Sequence, residues 1–194
     1  MRSANWRWLW AGLLLVALAL AACGGSTEGS AAEESGAAAS NLPVAAVTGV
    51  DNAGRGLEPG QLAPDFALVT ADGKSTRLSD WQGQPVVVNF WATWCSPCRA
   101  EMPEIVKAYQ AHQQDGLVVL GVNVQESADV ADDFVQQLGM EFPVVLDSRG
   151  EIQQLYQVRG LPTTLFIDRE GRVAARWAGL LTADLLEEYL AQIM

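Results

Sequence analysis

Apolar and polar positions follow two different periods along this chain, and the periods divide it into strands and helices. The runs at 86–91 and 117–124 are almost continuously apolar, which is typical of strands covered on both faces of a sheet. Between them, residues 96–114 place apolar side chains at helical spacing. The pattern therefore predicts a buried strand, a helix and a second buried strand in succession.

The pattern predicts further strands and helices on both sides of this unit. Before it, two short strands at 63–69 and 76–78 flank an Asp72-Gly73 turn signal. After it come a helix at 127–138, a strand at 142–146, a short helix at 151–156, a hairpin of strands at 164–168 and 172–177, and a helix from Thr182. This order indicates an α/β domain with a mixed central sheet flanked by helices and an N-terminal β-hairpin extension.

The N-terminal residues show neither period. Arg2 and Arg7 precede an apolar run that ends in Leu20-Ala21-Ala22-Cys23, a sequence that resembles the lipobox of bacterial lipoproteins. We expect residues 1–22 to be a signal peptide and Cys23 to be lipidated after cleavage. The alternative is an ordinary signal peptide followed by an unrelated cysteine.

The remaining boundaries follow from composition. Residues 23–58 are small and polar and are expected to form a flexible tether, although Leu42–Val50 is mildly apolar. The folded domain is expected at 59–194. The chain has a net charge of −11, and loss of the two signal-peptide arginines makes the mature chain more acidic still. This acidity argues against a nucleic-acid partner and leaves the lipid as the attachment to a membrane.

Two of the three cysteines, Cys95 and Cys98, stand two residues apart at the start of the predicted helix. This spacing allows a disulfide, and a C-x-x-C in such a context is typical of a redox pair. The helix N-terminus favours a thiolate at Cys95, which we expect to be the exposed attacking group, with Cys98 resolving the mixed disulfide. A zinc site is disfavoured because the chain has no second C-x-x-C and one histidine, His112. We expect no metal and no other cofactor.

Several segments together match one family pattern. They are Ala63-Pro64-Asp65-Phe66, the stretch 88–103 with Trp94-Cys95-Ser96-Pro97-Cys98 at its centre, 142–147, and 160–164. Over residues 60–194 the chain resembles the thioredoxin superfamily. It is most similar in pattern to the TlpA/ResA-like membrane-anchored thiol–disulfide oxidoreductases, which are related to the AhpC/TSA and redoxin proteins.

The resemblance implies three substrate-binding residues around the cysteines. Pro162 is expected to be a cis-proline beside the disulfide, since an X–Pro bond adopts the cis form at modest cost. Its shape would leave the backbone of Leu161 free to pair with an extended substrate segment. Trp94 is expected to shield the disulfide and to shape the docking surface.

The resemblance also implies a role for Glu101. Helix geometry puts Glu101 about 60° from Cys98, at the boundary of the apolar stripe, where spacing alone favours a solvated carboxylate. Thioredoxins place a buried aspartate at the position of Asn89, and asparagine cannot accept a proton. The resemblance therefore implies that Glu101 is the proton-transfer group and sets the pKa of the cysteine pair.

The resemblance further implies an activity, partners and a location. The expected activity is reduction of disulfides in cell-envelope proteins, for example during cytochrome c maturation, with electrons from an unidentified membrane thiol donor. The chain would be lipid-anchored on the extracytoplasmic side of a bacterial membrane. The direction rests on the resemblance, so a dithiol oxidase is an alternative.

Two further alternatives lack the residues that they need. A peroxiredoxin-like peroxidase requires a threonine and a proline where this chain has Ala92 and Val88. A copper-binding chaperone of related fold requires three residues between the cysteines and a histidine near the C-terminal strands, and the chain has neither.

Overall fold

A computed structural model of the chain describes residues 41–194. The predicted signal peptide and Cys23, the residue predicted to be lipidated, lie outside these residues. No helix between 41 and 194 has both the length and the apolar character needed to cross a membrane.

Eight strands form one sheet within the described residues. In chain order they are β1 (Val44–Ala46), β2 (Ala67–Val69), β3 (Ser75–Arg77), β4 (Val86–Trp91), β5 (Val118–Val124), β6 (Val144–Asp147), β7 (Thr163–Ile167) and β8 (Val173–Ala178). Across the sheet the order is β3-β2-β1-β6-β5-β4-β7-β8. The neighbouring strands within β1-β6-β5-β4 are parallel. All other neighbouring strands in the sheet are antiparallel.

The helices cover this sheet on both faces. They are α1 (Ser96–His112), α2 (Ala128–Leu138), α3 (Glu151–Leu155) and α4 (Ala183–Ile193), with 3-10 turns at Leu78–Trp81 and Gln113–Asp115. The elements follow the predicted order, and the predicted mixed α/β architecture is confirmed.

Both faces of the central strand β4 are buried, which explains why its sequence is apolar except at Asn89. Val87 and Trp91 belong to the core that includes residues of α1, α2 and α4. Val88 and Phe90 belong to a second core on the opposite face, which includes Ile152 of α3. Because side chains alternate along a strand, Asn89 lies on the α1 face.

The boundary predicted between tether and domain is wrong. Strand β1 lies inside the predicted tether, yet Ala45 pairs with Leu68 of β2, and Val44 pairs with Leu146 of β6. Its three residues are too short to show a period, so composition alone favoured a linker.

A second part of the predicted tether also contacts the domain. The side chain of Asn52 makes two hydrogen bonds to the backbone of Asp65. Its Oδ1 accepts from the Asp65 N–H at 2.6 Å, and its Nδ2 donates to the Asp65 carbonyl at 3.1 Å. Arg55 donates from Nη1 to the carbonyl of Ala63 at 2.9 Å. The folded part of the chain therefore begins before residue 59.

Candidate active site

The two cysteines of the C-x-x-C motif lie at the N-terminus of α1. Strand β4 ends at Trp91, and the chain then makes a turn in which the Cys95 N–H donates to the Ala92 carbonyl at 3.2 Å. Cys95 is the N-cap residue of α1. Cys95 and Cys98 form a disulfide, with their Cα atoms 5.3 Å apart. The strand therefore delivers the pair to the helix start, as the sequence predicts.

The two sulfurs differ in their surroundings. The Cys95 Sγ accepts a hydrogen bond from the Cys98 N–H at 3.2 Å, in the first turn of α1 where backbone N–H groups have no intrahelical partner. Cys95 is 5% exposed and Cys98 is 1% exposed. Cys95 is thus the more accessible cysteine, although it is less exposed than the sequence analysis expected.

Glu101 lies one helical turn after Cys98 and is fully buried. Its Oε1 accepts a hydrogen bond from Asn89 Nδ2 at 2.8 Å, and its Oε2 accepts one from the Leu181 N–H, also at 2.8 Å. Burial raises the pKa of the Glu101 carboxyl to about 7, because desolvation outweighs the two hydrogen bonds that favour the charged form. Helix spacing placed this side chain at a solvated boundary, but the loop before α4 covers it.

Asn89 connects this carboxyl to the neighbouring strand. Asn89 and Thr164 are paired residues of β4 and β7. The Nδ2 group of Asn89 donates to Thr164 Oγ1 at 2.9 Å as well as to Glu101. All three side chains are buried, so the site contains a small polar network inside an apolar core.

The loop before β7 lies at the same edge of the sheet. The Leu161–Pro162 peptide bond is cis, in the form that the resemblance implied. Thr163 pairs with Phe90, so Pro162 enters the sheet at the end of β4 from which the cysteine turn leaves. Leu161 is half-buried, and its backbone N–H and C=O make no hydrogen bond to any residue of 41–194. This backbone is available to a further strand.

Two exposed apolar side chains border the site. Trp94, the residue before Cys95, is 69% exposed. Leu180 is also exposed, and it precedes Leu181, whose N–H is bonded to Glu101. By contrast, Trp91 is fully buried and packs against Phe134 with ring centroids 5.2 Å apart. Trp91 therefore belongs to the core, whereas Trp94 belongs to the surface.

A residue that the sequence analysis did not identify, Glu126, holds the turn before the cysteines. Its carboxylate accepts hydrogen bonds from the backbone N–H of Thr93 at 2.7 Å, from the Thr93 hydroxyl, and from Asn123 Nδ2 at 2.7 Å. Gln125 before it has a positive φ of 56°, which turns the chain at the end of β5. A contact over 33 positions leaves no signal in a single sequence.

Within residues 41–194 no group of three or more histidine, cysteine, aspartate or glutamate side chains is arranged to hold a metal ion. The one histidine, His112, lies at the end of α1 with its ring nitrogens 3.7 Å from Asp115 and 3.5 Å from Glu187. It is therefore a surface group between two acids.

The chain is similar in sequence to curated bacterial proteins of one name. It is 38% identical over 134 residues to thiol-disulfide oxidoreductase ResA of Geobacillus thermodenitrificans. The aligned region covers 69% of this chain and 77% of that protein. It is 37% identical over 134 residues to thiol-disulfide oxidoreductase ResA of Bacillus subtilis, with 69% and 75% covered. These relatives establish an oxidoreductase of the same kind.

Solved structures give the same result. A structure described as thiol:disulfide interchange protein DsbE from Chlorobium tepidum matches with a TM-score of 0.65 and 37% identity, covering 72% of this chain and all of the other. StoA from Bacillus subtilis matches with a TM-score of 0.57 and 29% identity, covering 70% and 99%.

The family comparison covers most of the folded part. Residues 59–176 match the model of the AhpC/TSA family. This range includes the cysteine turn, Glu101 and the cis-proline loop. The chain therefore belongs to the AhpC/TSA family, within the thioredoxin superfamily, among the ResA-like thiol–disulfide oxidoreductases.

Proposed function

We propose that Cys95 and Cys98 are the redox-active pair of this oxidoreductase and that the pair reduces disulfides in other proteins. The observation that carries the proposal is the disulfide at the start of α1, with the buried carboxyl of Glu101 one turn along the same helix. A raised carboxyl pKa of about 7 gives Glu101 both protonation states near neutral pH, which general acid–base catalysis requires.

The first chemical step is an attack by Cys95. In the dithiol form, the Cys95 thiolate attacks one sulfur of a substrate disulfide; the substrate S–S bond breaks, and a mixed disulfide forms. The other substrate sulfur leaves as a thiolate. The Cys98 N–H, which contacts the Cys95 Sγ in the disulfide form, would stabilise the attacking thiolate.

The second step is resolution by Cys98. The Cys98 thiol gives its proton to the Glu101 carboxylate, and the resulting thiolate attacks the Cys95 Sγ. The Cys95–Cys98 disulfide forms, and the second substrate sulfur leaves with the proton that Glu101 received from Cys98. The first substrate sulfur, which left as a thiolate, takes its proton from water. Two electrons have moved from the pair to the substrate. A separate thiol donor must then reduce the Cys95–Cys98 disulfide again.

The substrate would dock as an extended segment beside the cis-proline. The unpaired backbone of Leu161 supplies the hydrogen-bonding groups for strand addition, and Pro162 fixes the direction in which they point. Trp94 offers an exposed apolar surface next to Cys95. This contact surface is formed mainly by backbone and apolar groups, so it suits many protein segments.

The proposal includes a location and a pathway. We propose that the chain acts on the extracytoplasmic side of a bacterial membrane, attached through lipidated Cys23, and takes electrons from a membrane thiol donor. Reduction of cysteines for cytochrome c maturation is the proposed use. Similarity to proteins named ResA and to a structure named DsbE supports the chemistry on which this role depends.

The midpoint potential of the pair tests the proposed direction. Equilibration of the protein with glutathione or dithiothreitol buffers should give a value close to that of thioredoxin, at about −270 mV. A value near about −120 mV, where strong oxidants lie, would contradict the proposal and favour the oxidase alternative.

Single cysteine variants test the assigned roles. Reduced Cys98→Ser should react with glutathione disulfide and keep one glutathione on Cys95, because the resolving thiol is missing. The added mass is the measurement. Cys95→Ser is the matched control and should accumulate little adduct, since Cys98 is less exposed. Stable adducts on Cys98 and none on Cys95 would reverse the roles.

The variant Glu101→Gln tests whether the carboxyl is held at a raised pKa. Its folded-state pKa of about 7 lies above the ordinary value of 4.5, so the folded protein retains a proton that the unfolded chain has released. The free energy of unfolding of the wild type should therefore fall as pH rises through this window, by about 3 kcal/mol relative to Glu101→Gln.

Denaturant titrations of the oxidised protein at pH values between 4.5 and about 7 measure this difference in the free energy of unfolding. Glu104→Gln is the control, because Glu104 lies on the same helix and pairs with Lys107 at 2.8 Å on the surface. The Glu104 variant should keep the slope of the wild type. Equal slopes for the wild type and Glu101→Gln would show that the carboxyl is ionised throughout.

A further inference from the structure

The side-chain amide of Asn89 is only partly satisfied in this structure. Its Nδ2 group donates to Glu101 Oε1 and to Thr164 Oγ1. Its Oδ1 is buried and has no hydrogen-bond partner among residues 41–194. Leaving a buried carbonyl without a hydrogen bond is costly, so this orientation needs a compensating reason. The reason is the charge state of the carboxyl that it faces.

The observed orientation suits an ionised Glu101. A carboxylate is an acceptor only, and here each oxygen faces one donor: Oε1 faces Asn89 Nδ2, and Oε2 faces the Leu181 N–H. A protonated Glu101 needs a different partner. Because the Leu181 backbone N–H cannot turn away, the proton belongs on Oε1, where it would point at the Asn89 NH2 group. Two donors would then face each other in a buried site.

A half-turn of the Asn89 amide removes this conflict. The terminal torsion of asparagine is broad and roughly two-fold, and the two ends of the amide are nearly equal in size. After the turn, Oδ1 accepts from the Glu101 O–H and from the Thr164 hydroxyl, while Leu181 keeps its bond to Oε2. Each orientation leaves one end of the amide unpaired, so the amide itself penalises neither charge state of Glu101 more than the other.

We propose that the Asn89 side-chain amide rotates by half a turn each time Glu101 gains or loses a proton. Asn89 is thus a positioning residue: it orients the Glu101 proton, but its own amide does not titrate. Its use in disulfide exchange rests on the proposed function, but the rotation itself depends only on Glu101. Thioredoxins have an aspartate at the position of Asn89. In this chain the Asn89 amide can instead form a hydrogen bond with either charge state of the neighbouring Glu101.

The other groups around Glu101 allow the effect to be isolated. Cys98 is one turn away on α1, and Cys95 lies at the start of that helix, but neither titrates while they form a disulfide. The contacts from β7 and from the loop before α4 are Thr164 and the Leu181 backbone, which carry no charge. Burial and hydrogen bonds, not a neighbouring charge, set the Glu101 pKa. The oxidised protein therefore presents one titrating group to the amide.

Nuclear magnetic resonance of the oxidised, isotope-labelled protein tests the rotation. The Glu101 carboxyl carbon and the Asn89 side-chain nitrogen are followed together from about pH 5 to about pH 9, a range that contains the expected midpoint. Both signals should shift with the same midpoint. The Nδ2 protons should contact the Thr164 side chain above that midpoint and lose this contact below it.

Two controls define the result. Asn123 is the internal reference, because its Nδ2 donates to Glu126 and makes no contact with Glu101. In Glu101→Gln, the Asn89 signals should no longer shift with pH. Nδ2 contacts to Thr164 that persist while the Glu101 carbon titrates would overturn the proposal, as would the absence of any Glu101 titration in this range.

The outcome is separable from the test of the proposed function. If Asn89 turns with Glu101 but Cys98→Ser forms no adduct, the rotation stands and the assigned redox role fails. If the adduct forms while the Asn89 amide stays fixed, the redox role stands and the rotation is wrong.

Discussion

The burial of one carboxyl group, that of Glu101, determines how the two sides of the candidate active site are joined. The group lies on α1 and takes hydrogen bonds from Asn89 on β4 and from Leu181 in the loop before α4. Removing a carboxylate from water costs several kcal/mol, and two hydrogen bonds offset only part of this. The remainder appears as a pKa raised to about 7. Because burial opposes ionisation of Glu101, its carboxyl can gain or lose a proton near neutral pH.

Sheet topology explains why these residues meet. The parallel strands β4 and β5 end at the same edge of the sheet, so the turn with Cys95 follows one and Glu126 follows the other. Strand β7 runs antiparallel to β4, so Pro162 enters at this edge. Ligands of open α/β sheets gather at the carboxyl ends of strands for the same reason. The disulfide, the polar network and the cis-proline loop therefore occupy one edge.

The sequence was sufficient where the signal is local. The apolar runs of the buried strands, the cysteine spacing and the order of elements all predicted what the structure contains. Helix spacing by itself was misleading for Glu101, because it describes one helix and the loop that covers this side chain belongs to another part of the chain. The resemblance, not the spacing, led to a buried carboxyl with a raised pKa. The sequence contains no sign of Glu126, which reaches Thr93 across a distance in sequence that no period can reveal. The strand β1 was missed because its three residues owe their conformation to pairing with β2 and β6.

The most direct test of the account is the titration of the Glu101 carboxyl carbon in both redox forms of the protein. In the disulfide form we expect a midpoint of about 7. In the dithiol form we expect a different midpoint, because the Cys95 thiolate at the start of the same helix opposes the charge on the carboxylate and the Cys98 thiol exchanges a proton with it. A midpoint near the ordinary value of 4.5, or identical curves in the two forms, would contradict the claim that this buried carboxyl serves the cysteine pair.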